Sequence, residues 1–93
     1  MEIREFQEMI REIFYENDRR RGVEATMLWL VEEVGELAES IRKGKGAGEE
    51  MADVFAWLVS LANLLDIDLE EEVKKKYPNR CSRCHQNPCR CGV

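Results

Sequence analysis

From Val54 to Leu65 the chain reads Val-Phe-Ala-Trp-Leu-Val-Ser-Leu-Ala-Asn-Leu-Leu, a helical segment apolar on every side. A helix of that kind has to be buried. The only charges ahead of it in its first turns are Glu49, Glu50 and Asp53, acids that suit a helix N-terminus. The whole helix expected over 49–65 is too short, and too polar at its start, for a membrane span of about 20 residues. The rest of the chain must therefore assemble around it. At 93 residues, one small domain, it lacks the surface to enclose that helix, so the expected structure also packs against a second copy.

The other segments read as helices that could do the covering. Ile3, Phe6, Ile10, Ile13 and Phe14 recur at helical spacing and predict a helix over residues 2–17. Asn17-Asp18-Arg19-Arg20-Arg21-Gly22 reads as a break. Its arginines are expected in solvent, with a grip on phosphate as the minority reading. A second helix is expected over 25–43, with Leu30, Val34, Leu37 and Ile41 as its apolar stripe and Trp29, Glu33 and Glu36 as a stripe beside it. Gly44-Lys45-Gly46-Ala47-Gly48 ends it in a loop. The third helix spans 49–65, and Asp68 with Glu71 resembles a capping box opening a fourth, which Pro78 stops after Tyr77. No segment alternates like a strand. The expected fold is all-α, a four-helix antiparallel bundle over residues 1–77, followed by a Cys-rich tail over 78–93.

Charge excludes some roles. The last 15 residues hold three arginines and no acid, leaving 19 acids against 11 bases in the first 78, a net of −8. An acidic body is a poor nucleic-acid surface, yet it admits nucleotides, because a bound divalent cation reverses the local sign. Met1-Glu2-Ile3-Arg4-Glu5 lacks the apolar stretch of a signal peptide, so a cytoplasmic location is expected.

Glu32-Glu33-Val34-Gly35-Glu36 and Glu50-Met51-Ala52-Asp53 are two acidic clusters one helix apart. Glu33 and Glu36, like Glu50 and Asp53, stand three residues apart and project from one helix face. Asp53 leads into the apolar helix with no base at i+3 or i+4. Burying unpaired carboxylates is costly unless a cation compensates. Four carboxylates converging from two antiparallel helices form an all-oxygen site suited to Mg²⁺, or Mn²⁺, shared with substrate phosphates. Other acids, among them Glu2, Glu5, Glu12 and Glu70, read as ordinary surface. Trp29 and Trp57 lie one turn from the carboxylates. Each reads either as a core or interface aromatic, or, for Trp29, as a stacking surface for substrate. Lys43 and Lys45, near the loop, read as solvated lysines or as phosphate contacts.

Leu30-Val31-Glu32-Glu33-Val34-Gly35-Glu36-Leu37-Ala38-Glu39 followed by Glu50-Met51-Ala52-Asp53-Val54 resembles the MazG-like nucleotide pyrophosphohydrolases, whose signature is Glu-Glu-x-x-Glu, a gap, then Glu-x-x-Asp. The resemblance covers about residues 1–77. It implies a dimer or tetramer that hydrolyses nucleoside triphosphates to monophosphate and pyrophosphate with Mg²⁺, a nucleotide-pool housecleaning role. It implies Glu33, Glu36, Glu50 and Asp53 as metal ligands. Glu32 matches the first Glu of the motif but points away from Glu33 on a helix. Glu36 is the expected general base, with Glu32 as a further catalytic candidate. The resemblance leaves open whether water attacks the α- or the β-phosphorus.

The tail, Cys81-Ser82-Arg83-Cys84-His85-Gln86-Asn87-Pro88-Cys89-Arg90-Cys91, holds all four cysteines. In a cytoplasmic protein that clustering favours metal over disulfides. Cys81, Cys84, Cys89 and Cys91 can wrap one Zn²⁺, with His85 as an alternative ligand and free or bridged thiols as the plain alternative. Short Cys-rich tails of this kind resemble those of some archaeal MazG-like proteins. Two rival functions are a non-catalytic regulatory or adaptor module built on the zinc tail, and a ferritin-like carboxylate metalloprotein. The second is disfavoured because such helices carry Glu-x-x-His, and the one histidine here, His85, lies in the tail.

Overall fold

The computed structural model describes residues 1–92. Four helices follow one another: α1 (Ile3–Arg21), α2 (Val23–Lys43), α3 (Ala47–Leu64) and α4 (Leu69–Lys76). No strand occurs among the described residues. None of the helices is long and apolar enough to cross a membrane.

The helix ends follow local chemistry. The Glu2 N–H donates to Glu5 Oε1 at 3.0 Å at the start of α1. The expected cap of α4 is present, Asp68 Oδ1 accepting from the Glu71 N–H at 3.1 Å. The break expected at Asn17 does not occur. Helix α1 runs on to Arg21 and ends only at Gly22, whose φ of +89° suits a residue without Cβ. Ion pairs one turn apart support the extension, Arg19 to Glu16 and Arg21 to Asp18, both at 2.9 Å.

Helix α3 is the centre of the fold, packed by α2 on one side and crossed by α1 on another. Val59 is wholly buried, and Ile10 of α1, Leu30 of α2 and Ala62 of α3 are buried as well. Phe6 stacks on Phe55 with centroids 5.4 Å apart. Gln7 and Asn63 lock the same helices: Asn63 Oδ1 accepts from Gln7 Nε2 at 3.1 Å, and Asn63 Nδ2 donates to the Gln7 carbonyl at 3.3 Å. Helix α4 packs on the N-terminal part of α1. Glu70 is buried there, not at the surface as the sequence suggests. The Arg4 backbone N–H at 3.1 Å, the Arg4 guanidinium at 3.0 Å and Lys74 at 3.3 Å serve its carboxylate. The Arg4 N–H, then Lys74 and the Arg4 charge, hold its carboxyl below the usual range.

The apolar stripe expected on α2 departs from the core. Leu30 is buried, but Val34 and Ile41 are 47% and 60% exposed. On α1, Ile13 is exposed as well. Helix α3 turns Phe55 and Leu58 partly to the outside, and Leu65 just after it is exposed too. One chain supplies two long helices to cover α3, and two helices cannot enclose a third. The sequence's apolar surplus therefore stays exposed on all three long helices.

Candidate functional site

Helices α2 and α3 form an antiparallel hairpin. The turn between them is three residues, Gly44-Lys45-Gly46, and both glycines take left-handed φ values, +78° and +82°. Gly44 closes α2, its N–H donating to the Ser40 carbonyl at 2.9 Å. Gly46 starts α3. So short a return fixes which residues of the two helices face each other.

The hairpin places Glu33 of α2 against Glu50 and Asp53 of α3. One carboxylate oxygen from each lies within 4.8 Å of the other two. Glu33 Oε2 and Glu50 Oε2 are buried with no hydrogen-bond partner among the described residues. Burial pushes the Glu33 carboxyl up to about 7, and the charges of Glu36, Glu50 and Asp53 push the same way. Carboxylates brought together without a cation must share protons. The donor set is all oxygen, anionic and short of partners, which fits a hard divalent cation such as Mg²⁺ or Mn²⁺.

The other candidates lie around this triad. Glu36 is exposed and stands close enough to Glu33 to raise its pKa. Glu32 is exposed and lies outside the group of three. Trp29 stacks on Trp57 with centroids 5.7 Å apart and planes 12° from parallel, one turn beyond the carboxylates. Lys43 ends α2 with its Nζ 3.9 Å from Glu39. Lys45 sits exposed in the turn.

A cleft of about 200 Å³ opens beside Asp53, between α1 and α3. Asp18 and Arg21 line it with Phe14, Trp57 and Ser60. The Arg21 guanidinium lies 4.6 Å over the Trp57 ring, on which Trp29 also stacks. Sequence reasoning placed Asp18 and Arg21 in a solvated loop. Their one readable signal is the spacing, an acid and a base three residues apart at the end of a helical pattern, with the glycine stop after the base.

The tail gathers its thiols. Cys81 Sγ and Cys91 Sγ are 3.7 Å apart, Cys84 Sγ and Cys89 Sγ 3.9 Å, and all four sulfurs lie within 4.8 Å of one another. None is in a disulfide. Backbone N–H groups point at the sulfurs: Arg83 to Cys81 at 3.4 Å, Arg90 to Cys84 at 3.3 Å, Cys91 to Cys89 at 3.4 Å. Backbone N–H donation, from Cys84 and then Arg83, brings the Cys81 thiol down to about 6. Contact with Cys89, Cys81 and Cys84 pushes Cys91 up to about 12. Without a cation, the cluster cannot hold four thiolates. With Zn–S bonds of about 2.3 Å, a tetrahedral site has sulfur–sulfur edges of about 3.8 Å, close to the two shortest separations here.

A family model described as the MazG nucleotide pyrophosphohydrolase domain matches residues 21–85. The match spans α2, α3 and α4 with both acidic clusters, and runs past Tyr77 into the first cysteines. No curated protein matches the chain.

Proposed function

The chain belongs to the MazG nucleotide pyrophosphohydrolase family, and on that premise we propose that it is a Mg²⁺-dependent enzyme converting nucleoside triphosphates to monophosphates and pyrophosphate, a housecleaning activity of the cytoplasmic nucleotide pool. The observation that carries the reading is the meeting of Glu33, Glu50 and Asp53, with two buried carboxylate oxygens that have no partner. In the metal-free protein the Glu33 carboxyl, raised to about 7, is protonated in part at neutral pH, and a cation would displace that proton.

In this reading Glu33, Glu50 and Asp53 hold the ion, and Glu36 completes the set or stands free beside it. Bound Mg²⁺ supplies charge neutralisation at phosphate oxygens and a lowered pKa for the attacking water. Glu36, exposed next to Glu33, accepts that water's proton at its carboxylate. Glu32, facing away, takes a supporting place as a ligand of a further ion. Trp29 offers its uncovered surface to substrate, and Lys43 and Lys45 contact phosphate from the turn. Incubation with a panel of nucleoside triphosphates and Mg²⁺, followed by identification of the products, tests the proposal. Pyrophosphate and nucleoside monophosphate are expected; mainly diphosphate and orthophosphate would reject it.

The four converging sulfurs favour a second metal in the tail, one Zn²⁺ per chain on Cys81, Cys84, Cys89 and Cys91. The exposed Arg80, Arg83 and Arg90 offset the charge of such a unit. An adaptor function resting on the tail is the alternative to catalysis, and the same product assay separates them: an adaptor hydrolyses nothing.

A further inference from the structure

Charge is divided sharply along this chain. Lys74 to Val93 holds six bases and no acid, while residues 1–73 hold eight bases against 19 acids, a net of −11. With one Zn²⁺ on four thiolates, a unit of charge −2, the basic segment still carries +4. Lys74 and Lys75 are answered in part, by Glu70 and Glu72, each at 3.3 Å. Lys76, Arg80, Arg83 and Arg90 are exposed and enter no ion pair among the described residues.

The tail that carries these cations holds its own shape. The Cys81 N–H donates to the Gln86 carbonyl and the His85 N–H to the Cys81 carbonyl, both at 3.0 Å, and Asn87 Nδ2 donates to the Asn79 carbonyl at 2.8 Å. Where the last turn of α4 meets the tail, a cleft of about 340 Å³ is lined by Lys75, Lys76, Arg80, Ser82 and His85. That volume has room for one nucleotide unit. The His85 ring is exposed. Tyr77, which follows Lys76, is 55% exposed, with Lys76 Nζ 5.9 Å from its ring centre. Unpaired cations interleaved with uncovered rings supply both parts of a single-strand surface: charges that track phosphates and rings that stack on bases.

We propose that the last turn of α4 and the Cys-rich tail bind single-stranded nucleic acid, with Lys76, Arg80, Arg83 and Arg90 on phosphates and His85 stacked on a base. This binding function is separate from the carboxylate site and stands independently of the nucleotide reading above. A single strand fits where a duplex does not. Its bases are free to stack, and it can follow a short basic patch without laying a rigid row of phosphates against the acidic body. A free nucleotide offers one cluster of phosphates, whereas four unpaired cations spread from residue 76 to residue 90 match a chain of them.

The test titrates the full chain, purified without chelators and assayed without Mg²⁺, into fluorescein-labelled oligodeoxythymidylate of about 20 bases, read by anisotropy. A Kd of about 10 μM or tighter is expected at about 50 mM salt, with log K falling against log salt at a slope of about −3, from four phosphates at about 0.7 each. The duplex of the same oligonucleotide with oligodeoxyadenylate is denser in charge, yet should bind about fivefold weaker or worse because its bases cannot stack. Lys76→Gln with Arg80→Gln should make the slope shallower by about 1.4. His85→Ala should weaken binding by about tenfold at an unchanged slope, and His85→Phe should restore it. Circular dichroism checks that the variants keep their helices. No binding at low salt overturns the proposal, as does a duplex that binds as well as the single strand. An unchanged slope in the double variant overturns it too, and so does equal loss in both His85 variants. Displacement of the strand by equimolar thymidine triphosphate gives the cleft to a free nucleotide and overturns it. A double variant that falls to a smaller oligomer, with no strand bound by the unmodified protein, gives the patch to the acidic body of a second copy instead.

Discussion

Glu33 on α2 and Glu50 on α3 meet across the hairpin, each with one carboxylate oxygen buried and without a partner. That relationship makes the metal-free fold sensitive to pH in an unusual direction. The Glu33 carboxyl is raised from 4.5 to about 7, so between those values the folded chain binds more protons at this position than the unfolded one. Stability from this group is complete below 4.5 and is lost as pH rises through 7. With EDTA present, the contribution of this site to the melting temperature should fall from about pH 5 to pH 7.5. Saturating Mg²⁺ should flatten that trend, which thermal melts across pH with and without the ion would show. In Glu33→Gln, the pH dependence assigned to the site should disappear.

Substitution should separate ligands from base. Glu33→Gln and Asp53→Asn are expected to lower Mg²⁺-dependent turnover by about 100-fold or more. They should also raise the metal-free melting temperature by removing like-charge repulsion. Glu36→Gln should lose turnover to a similar degree yet keep most of the stabilisation by Mg²⁺. Near-normal turnover in all three variants would remove the assignment.

The tail should yield one zinc per chain by elemental analysis of protein purified without chelators. Cys84→Ser should lose it. Circular dichroism of α1 to α4 should change little, because the tail adds no helix. Truncation after Tyr77 should remove zinc and leave much of the hydrolysis. A zinc-free protein with four titratable thiols would contradict the prediction.

The apolar faces predict assembly. Val34 and Ile41 on α2, and Leu58 on α3, are too exposed for a lone subunit in water. Sedimentation at micromolar concentration should give a dimer or a tetramer. Ile41→Glu and Leu58→Glu together should shift it towards the 10.9 kDa chain. A stable wild-type monomer would refute the assembly argument.

The residues most legible in the sequence were those whose spacing carries geometry. Glu33, Glu50 and Asp53 converge because three-residue steps and a glycine turn leave a hairpin few choices. The all-α class and the Asp68 cap were readable for the same local reasons. Asp18 and Arg21 were hidden because Asn, Asp and a run of arginines resemble a solvated break. Only the approach of α3 makes burying Asp18 possible, and that contact is tertiary. Glu70 was hidden likewise, its partner Arg4 lying at the far end of the chain. The α2 stripe misled because an apolar stripe does not say whether its own chain or another one will cover it.

The Gly44-Lys45-Gly46 turn carries a consequence for how this sequence can change. Each added residue advances a helix by about 100°. An insertion accommodated by lengthening α3 at its start would swing Glu50 and Asp53 away from Glu33 while leaving composition and helicity almost untouched. Replacing Gly44 or Gly46 by alanine costs about 1–2 kcal/mol through the left-handed backbone alone but leaves the facing of α2 and α3 in register. An insertion or deletion there would part Glu33 from Glu50 and Asp53 in one step.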